Sequence, residues 1–227
     1  MIDHSGRQVP GRRRSHGRVV QIAVTASVAV LAGCGGAAGW SMGIFASKGR
    51  FRAVDACTLM PPPTVLAPLV RNGARERGDS RPRTLLGHTS GGDLASQCKW
   101  SSVPTGQDRP FRTVRVHVET KKRRQGPVSA EDSAEKALAL WRKNTSPSRA
   151  RTLTKVDLGE EGYTRTDQMA IQITVFRTDV YDLHAKFRAS NAVVDVSART
   201  HTEPGEKERA LVLDLAREVA ARLDRTR

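Results

Sequence analysis

The chain has 227 residues, with 38 basic against 23 acidic side chains and a net charge of +15. Its first 54 residues supply +7 of that charge, and the 173 residues that follow supply +8. Those 173 residues contain no long apolar run, which excludes a second membrane span, and they suffice for one domain burying roughly 70% of its unfolded surface.

Residues 1–18 form a basic segment with Arg7, Arg12, Arg13, Arg14 and Arg18. Residues 19–46 follow, 28 residues without a charge. A bilayer core needs about 20 apolar residues of helix, so this stretch is long enough to span. The arginines ahead of it hold the N-terminus on the cytoplasmic side, which exports everything from Lys48 onward. Arg13-Arg14 lacks the apolar residues that follow the pair in a twin-arginine export signal.

Two anchoring chemistries are open. Leu31-Ala32-Gly33-Cys34 has the form of a bacterial lipobox, in which Cys34 is lipidated after signal cleavage. Read instead as one uncut transmembrane helix, the segment ends in Trp40 and Phe45, then Lys48, Arg50 and Arg52, a pattern suited to the interface. Gly35, Gly39 and Gly43 would line one helix face, where two such helices could approach as a homodimer; ordinary glycine abundance is the simpler account of the spacing.

Residues 47–54 read as a stalk and residues 55–227 as the exported domain. Pro61-Pro62-Pro63 suits the first turn of a helix that continues through Thr64-Val65-Leu66-Ala67 and is limited by Pro68. Residues 72–93, rich in glycine and polar side chains, read as loop. A two-residue apolar period predicts strands at 97–103, 111–120, 169–177 and 192–200. In the second of these Val114, Val116 and Val118 share a face, with Arg115, His117 and Glu119 opposite. Ser190-Asn191 predicts a tight turn, which makes residues 181–188 the antiparallel partner of the last strand. Ser129 predicts the N-cap of a helix running to about Lys143. Leu211, Leu215, Val219 and Leu223 give the final helix, residues 205–223, one apolar stripe that suits sheet covering better than cofactor binding. The fold class that follows is α+β: an antiparallel sheet packed by two or three helices, after a single N-terminal membrane-anchoring helix.

With Cys34 in the anchor, Cys57 and Cys98 remain as a pair, and in an oxidising envelope they most economically form one disulfide. They lack CxxC spacing, and no histidine stands at a metal-binding distance from either, so no metal site is expected.

Cys57-Thr58-Leu59-Met60, Cys98-Lys99-Trp100, the stretch from Val156 to Tyr163, the hairpin from Phe187 to Val196 and the terminal amphipathic helix recur in that order. This combination resembles actinobacterial envelope proteins, mostly lipoproteins of unknown function, with one Cys…Cys-x-Trp domain. The resemblance implies a disulfide-linked α+β domain of the PsbP-like type displayed outside the membrane, and it brings no catalytic residues.

No catalytic constellation is legible. Ser90 lies among small residues without a G-x-S-x-G elbow, and His117, His184 and His201 share no ligand spacing. Glu160 and Glu161 are adjacent, so their side chains diverge on a strand. No cofactor is expected. Basic loops are the surface feature above background: Arg71, Arg75, Arg77, Arg81 and Arg83 in one, Lys121, Lys122, Arg123 and Arg124 in another. Neither carries an aromatic for base stacking, which argues against nucleic acid and leaves anionic lipid and wall polymers as partners, or a role in solubility alone. The expectation is a non-catalytic, membrane-anchored extracytoplasmic domain that binds a protein partner or an envelope polyanion. The alternatives are a small-ligand carrier with a pocket between sheet and helix, and an envelope enzyme with residues in scattered loops.

Overall fold

A computed structural model of the chain describes residues 46–70, 72–76, 80–85, 92–102, 111–124, 126–144, 150–173 and 176–226. Residues 1–45, with Cys34, Gly35, Gly39 and Gly43, lie outside the described residues, as do Arg71, Arg77, His88 and Ser90.

The described residues form an α+β fold around one antiparallel sheet of eight strands. In chain order these are β1 (Ala74–Arg75), β2 (Arg83–Thr84), β3 (Leu94–Ser101), β4 (Thr113–Thr120), β5 (Ala150–Val156), β6 (Glu161–Ile173), β7 (Phe176–Ala189) and β8 (Ala192–Thr200). Across the sheet they run β1-β3-β4-β8-β7-β6-β5, with β2 also paired to β3. The helices are α1 (Ala56–Leu59), α2 (Pro63–Leu66), α3 (Ala130–Lys143) and α4 (Glu206–Arg225).

Alternation in β4 sets the two faces. Val116 pairs with Cys98 on one side and Val196 on the other, and Val196 pairs with Ala185, so these four share one face. Val118, Val194 and Phe187 form the next row. Onto this apolar face α4 lays Val212, Leu215, Ala216, Val219 and Leu223, while the N-terminal segment adds Phe51, Val54, Leu59, Leu66 and Val70. The Cys57–Cys98 disulfide, with Cα atoms 5.0 Å apart, ties α1 to β3 within that core. Closing this loop stabilises the fold by about 4 kcal/mol on the chain-entropy model.

The opposite face is covered over β7 and β8 by α3, which buries Ala130, Ala134 and Leu138. Ser129 caps this helix as predicted: its Oγ accepts from Asp132 N–H, and the Asp132 carboxylate accepts from Ser129 N–H.

Three expectations change. Residues 169–177 are not one strand: β6 ends at Ile173 and β7 begins at Phe176, so the stretch is divided between two antiparallel neighbours. Residues 150–168, to which no strand is assigned from the sequence, form β5 and most of β6. Their core-facing positions carry Thr154, Thr164 and Thr166 in place of an apolar alternation, and threonine holds extended backbone by its β-branch. Residues 47–54 lie against the domain, with Phe51 and Val54 in the core.

β8 ends at Thr200 opposite Tyr181, and β5 begins at Ala150 opposite Asp167. Beyond these pairs, residues 168–173 and 176–180 continue as a two-stranded arm with no flanking strand among the described residues.

Candidate functional site

Two polar regions stand out, at opposite ends of the sheet. The first is the polar part of the face on which α3 lies, running from beneath Trp141 to the sheet beyond the helix. Lys99, Arg115, Ser197, His184 and Arg165 form one row across β3, β4, β8, β7 and β6. Asp195 occupies the adjacent row and is buried, receiving His184 Nδ1 at 3.0 Å and Arg115 Nη2 at 3.5 Å. Burial alone would raise its carboxyl, but the neighbouring His184, Lys186 and Arg115 hold it well below the usual carboxylate range. Asp167 pairs with Arg165 at 2.7 Å and faces His184 Nε2 at 3.7 Å. Trp141 of α3 closes this network, its ring 4.1 Å from the Arg165 guanidinium carbon and 5.4 Å from Lys186 Nζ.

At the far end of this face a cleft of about 210 Å³ is lined by Glu76, Lys99, Thr113, Arg115, Asp182, Ser197 and Arg199. Its cations have acidic partners. Arg199 grips Asp182 through two hydrogen bonds of 2.8 Å, and Lys99 stands 3.5 Å from Glu76. Arg115 donates from Nε to Ser197 Oγ at 3.1 Å. Paired in this way, the cleft is a lattice of ion pairs and carries neither a nucleophile beside a base nor uncompensated charge. A smaller cleft of about 120 Å³ lies between α4 and the β5–β6 edge, lined by Thr154, Thr164, Thr166, Arg209 and Val212. Among the described residues no group of three or more His, Cys, Asp or Glu side chains could hold a metal ion.

The second region is the end of the domain where the chain enters it, and its hub is the Ser190–Asn191 turn between β7 and β8. Ser190 carries the positive φ of 50° that this tight reversal needs. Asn191 is fully buried. Its Oδ1 accepts from Phe51 N–H and its Nδ2 donates to Phe51 C=O and Lys121 C=O, each at 2.8 Å. Lys121 N–H in turn donates to Asn191 C=O at 2.9 Å. Gly49 lies so close that a Cβ there would meet Asn191 Cγ at 2.2 Å, and its φ of +80° disfavours any side chain.

The predicted basic loops resolve differently from their sequence order. Arg75 sits opposite Trp100 near one end of β3, whereas Arg83 sits opposite Ala95 near the other. The first cluster is therefore divided, and Arg83 falls at the same sheet end as residues 121–124. Within the second cluster Lys121 is buried, 2.7 Å from Glu119 and 3.3 Å from Asp93. That engagement, with a hydrogen bond to His117 the largest cause, brings the Glu119 carboxyl down to about 2. Lys122 and Arg124 are exposed and Arg123 is half-buried. Lys48, Arg50 and Arg52 adjoin them through the Phe51–Asn191 hydrogen bonds, a grouping the linear sequence conceals because it depends on contacts 140 residues apart.

Comparison of the chain with family models, with curated proteins and with solved structures gives no match.

Proposed function

We propose that this chain is a membrane-anchored extracytoplasmic domain that binds an anionic envelope partner without catalysing a reaction. One observation carries the reading: four exposed cations that make no ion pair among the described residues, Lys48, Arg52, Lys122 and Arg124, gather at the end where the chain enters the fold, whereas Lys143, Lys207 and Arg209, also exposed and without an ion pair, lie elsewhere on α3 and α4. The charges of the polar face, by contrast, are absorbed by one another. Attraction of a polyanion needs a surplus of one sign over a short arc of surface, which the entry end has. The apolar residues 19–46 supply the anchor, as an uncut helix or as a signal segment ending at a lipidated Cys34. A disulfide-bonded domain agrees with an oxidising compartment.

The test uses the full chain in membranes. Protease added from the outer side should digest the C-terminal domain only after reduction or unfolding, and the chain should resist extraction by salt and alkali. Mass spectrometry of the mature N-terminus separates the intact helix from a chain beginning at lipidated Cys34. Retention of the solubilised chain on anionic wall polymer should fall steeply as salt rises. Recovery of the chain in the cytosol, or retention independent of salt, would sink the proposal.

A further inference from the structure

We infer that the entry end of the domain rests on the anionic lipid headgroups of the membrane that holds residues 19–46, so that the sheet stands away from the bilayer with its charged cleft and β6–β7 arm outermost. This rests on the uncut-helix form of the anchoring proposed above and names the anion and the orientation.

The junction between the apolar segment and the domain has no slack. The uncharged run ends at Ala46, and the next residue is already fixed: Ser47 C=O accepts from Ala130 N–H at 3.1 Å, and Ser47 Oγ donates to Glu131 at 2.8 Å. Gly49 N–H returns to Ser47 Oγ at 3.0 Å, and Arg50 N–H donates to Ser190 Oγ at 3.2 Å. One peptide link, about 3.8 Å between Cα atoms, separates the apolar segment from a residue bonded to α3. A domain joined this tightly cannot tumble at the end of a tether; it meets the headgroups with the surface around Ser47.

The charges on that surface are unevenly matched. Six of its acids are engaged, while Asp157, exposed in the turn between β5 and β6, is not engaged among the described residues. Asp93 and Glu119 face Lys121, Glu160 faces Arg188, and Asp224 receives Arg50 at 3.1 Å. Glu131 accepts from Ser47 and Ser190, and Asp132 caps α3. Lys48, Arg52, Lys122 and Arg124 are left exposed with no such partner among the described residues. Lys48 follows the fixed Ser47 directly. Lys122 is placed by its own N–H bond to Asp93 at 2.9 Å, next to the Asn191-bound Lys121. Headgroup attraction decays within about one Debye length, roughly 8 Å at physiological salt, so only side chains at this end are within reach.

The sheet runs away from the entry end. β8 leaves the turn at Ala192, beside Thr120, and ends at Thr200, beside Tyr181. Its length at about 3.3 Å per residue carries Arg199 and the polar cleft roughly 23 Å from the turn. The β6–β7 arm continues farther in the same direction. The cleft and arm are therefore the parts presented to partners beyond the membrane.

The experiment compares the full chain in nanodiscs of neutral phosphatidylcholine with nanodiscs in which about a third of the lipid is anionic phosphatidylglycerol, read by amide hydrogen exchange. Exchange over residues 119–124 and 190–192 should slow at least about fivefold on the anionic discs and recover in about 1 M salt, where the Debye length is about 3 Å. Exchange near residues 199–202 should be the same on both. The variant combining Lys48→Gln, Arg52→Gln, Lys122→Gln and Arg124→Gln should lose the lipid dependence, with unchanged exchange at 199–202 and an intact disulfide showing that it is folded. Equal exchange on both discs, in a chain incorporated into both, overturns the seating while leaving the anchoring intact. Failure of the chain to incorporate at all overturns the anchoring itself. Slowing by soluble polyphosphate but not by anionic lipid assigns the basic end to a polymer and also overturns the seating.

Discussion

Asn191 clamps Phe51 in both directions, accepting from its N–H and donating to its C=O, both at 2.8 Å. The pair joins the point where the chain enters the domain to a turn 140 residues later, and it does so inside the core, where neither amide can turn to water instead.

Asn191→Ala should therefore cost more than an ordinary surface change. It strands the Phe51 N–H and C=O and the Lys121 C=O without their side-chain partner. A loss of about 2–4 kcal/mol is expected, because each buried group left unsatisfied costs about 1–3 kcal/mol and neighbours relax in part. Urea unfolding followed by tryptophan fluorescence measures it. A change below about 0.5 kcal/mol would mean that the entering chain is held in another way.

Two adjacent lysines should behave oppositely. Lys121→Ala leaves Asp93 and Glu119 facing each other in a buried site, a loss of about 3 kcal/mol. Lys122→Ala, at an exposed position, should stay within about 0.5 kcal/mol of wild type. Denaturation midpoints of the two variants under one set of conditions decide the matter, and equal losses would contradict the assignment of Lys121 as structural.

Reduction of Cys57–Cys98 should lower stability by about 4 kcal/mol without abolishing the sheet, because β3 remains paired with β4 along its whole length. Parallel unfolding curves with and without a reductant, followed by far-ultraviolet circular dichroism, show the shift. Coincident curves would place the bond outside the cooperative unit.

Acid should destabilise the domain in a defined window. The folded Glu119 carboxyl sits at about 2 against an ordinary 4.5, held down by its bonds to His117 and Lys121. A depressed carboxylate contributes stability above its unfolded value and loses that contribution as pH falls toward the folded one. The Glu119 share is thus complete above about pH 5 and declines between about pH 4.5 and 2. Asp195, also depressed, adds to the same acid-side loss. Urea midpoints at pH 6 and pH 3 measure the slope, and Glu119→Gln should flatten it. An unchanged slope in that variant would remove Glu119 as a contributor.

The alternation of Val114, Val116 and Val118, the Ser129 cap and the stripe from Leu211 to Leu223 were legible in the sequence because each follows from a local period or a side chain's own hydrogen bonds. The Cys57–Cys98 bond was legible from compartment and count. The strands at 150–168 were hidden because an edge strand with threonines at its core-facing positions has no apolar rhythm to read. The division between Ile173 and Phe176 was hidden inside an unbroken two-residue alternation, which marks extended chain but not where one strand gives way to the next.

Charge shows the division most clearly. Composition determined that the domain is basic, and chain order grouped its arginines and lysines into two loops. Only the tertiary structure decided that Lys121 is a buried partner of Asp93 and Glu119, that Arg75 and Arg83 lie at opposite ends of β3, and that Lys48 and Arg52 join Lys122 and Arg124. The physical reason is that a cation's reach is a few ångströms through space, and pairing across the sheet sets those distances whatever the separation along the chain.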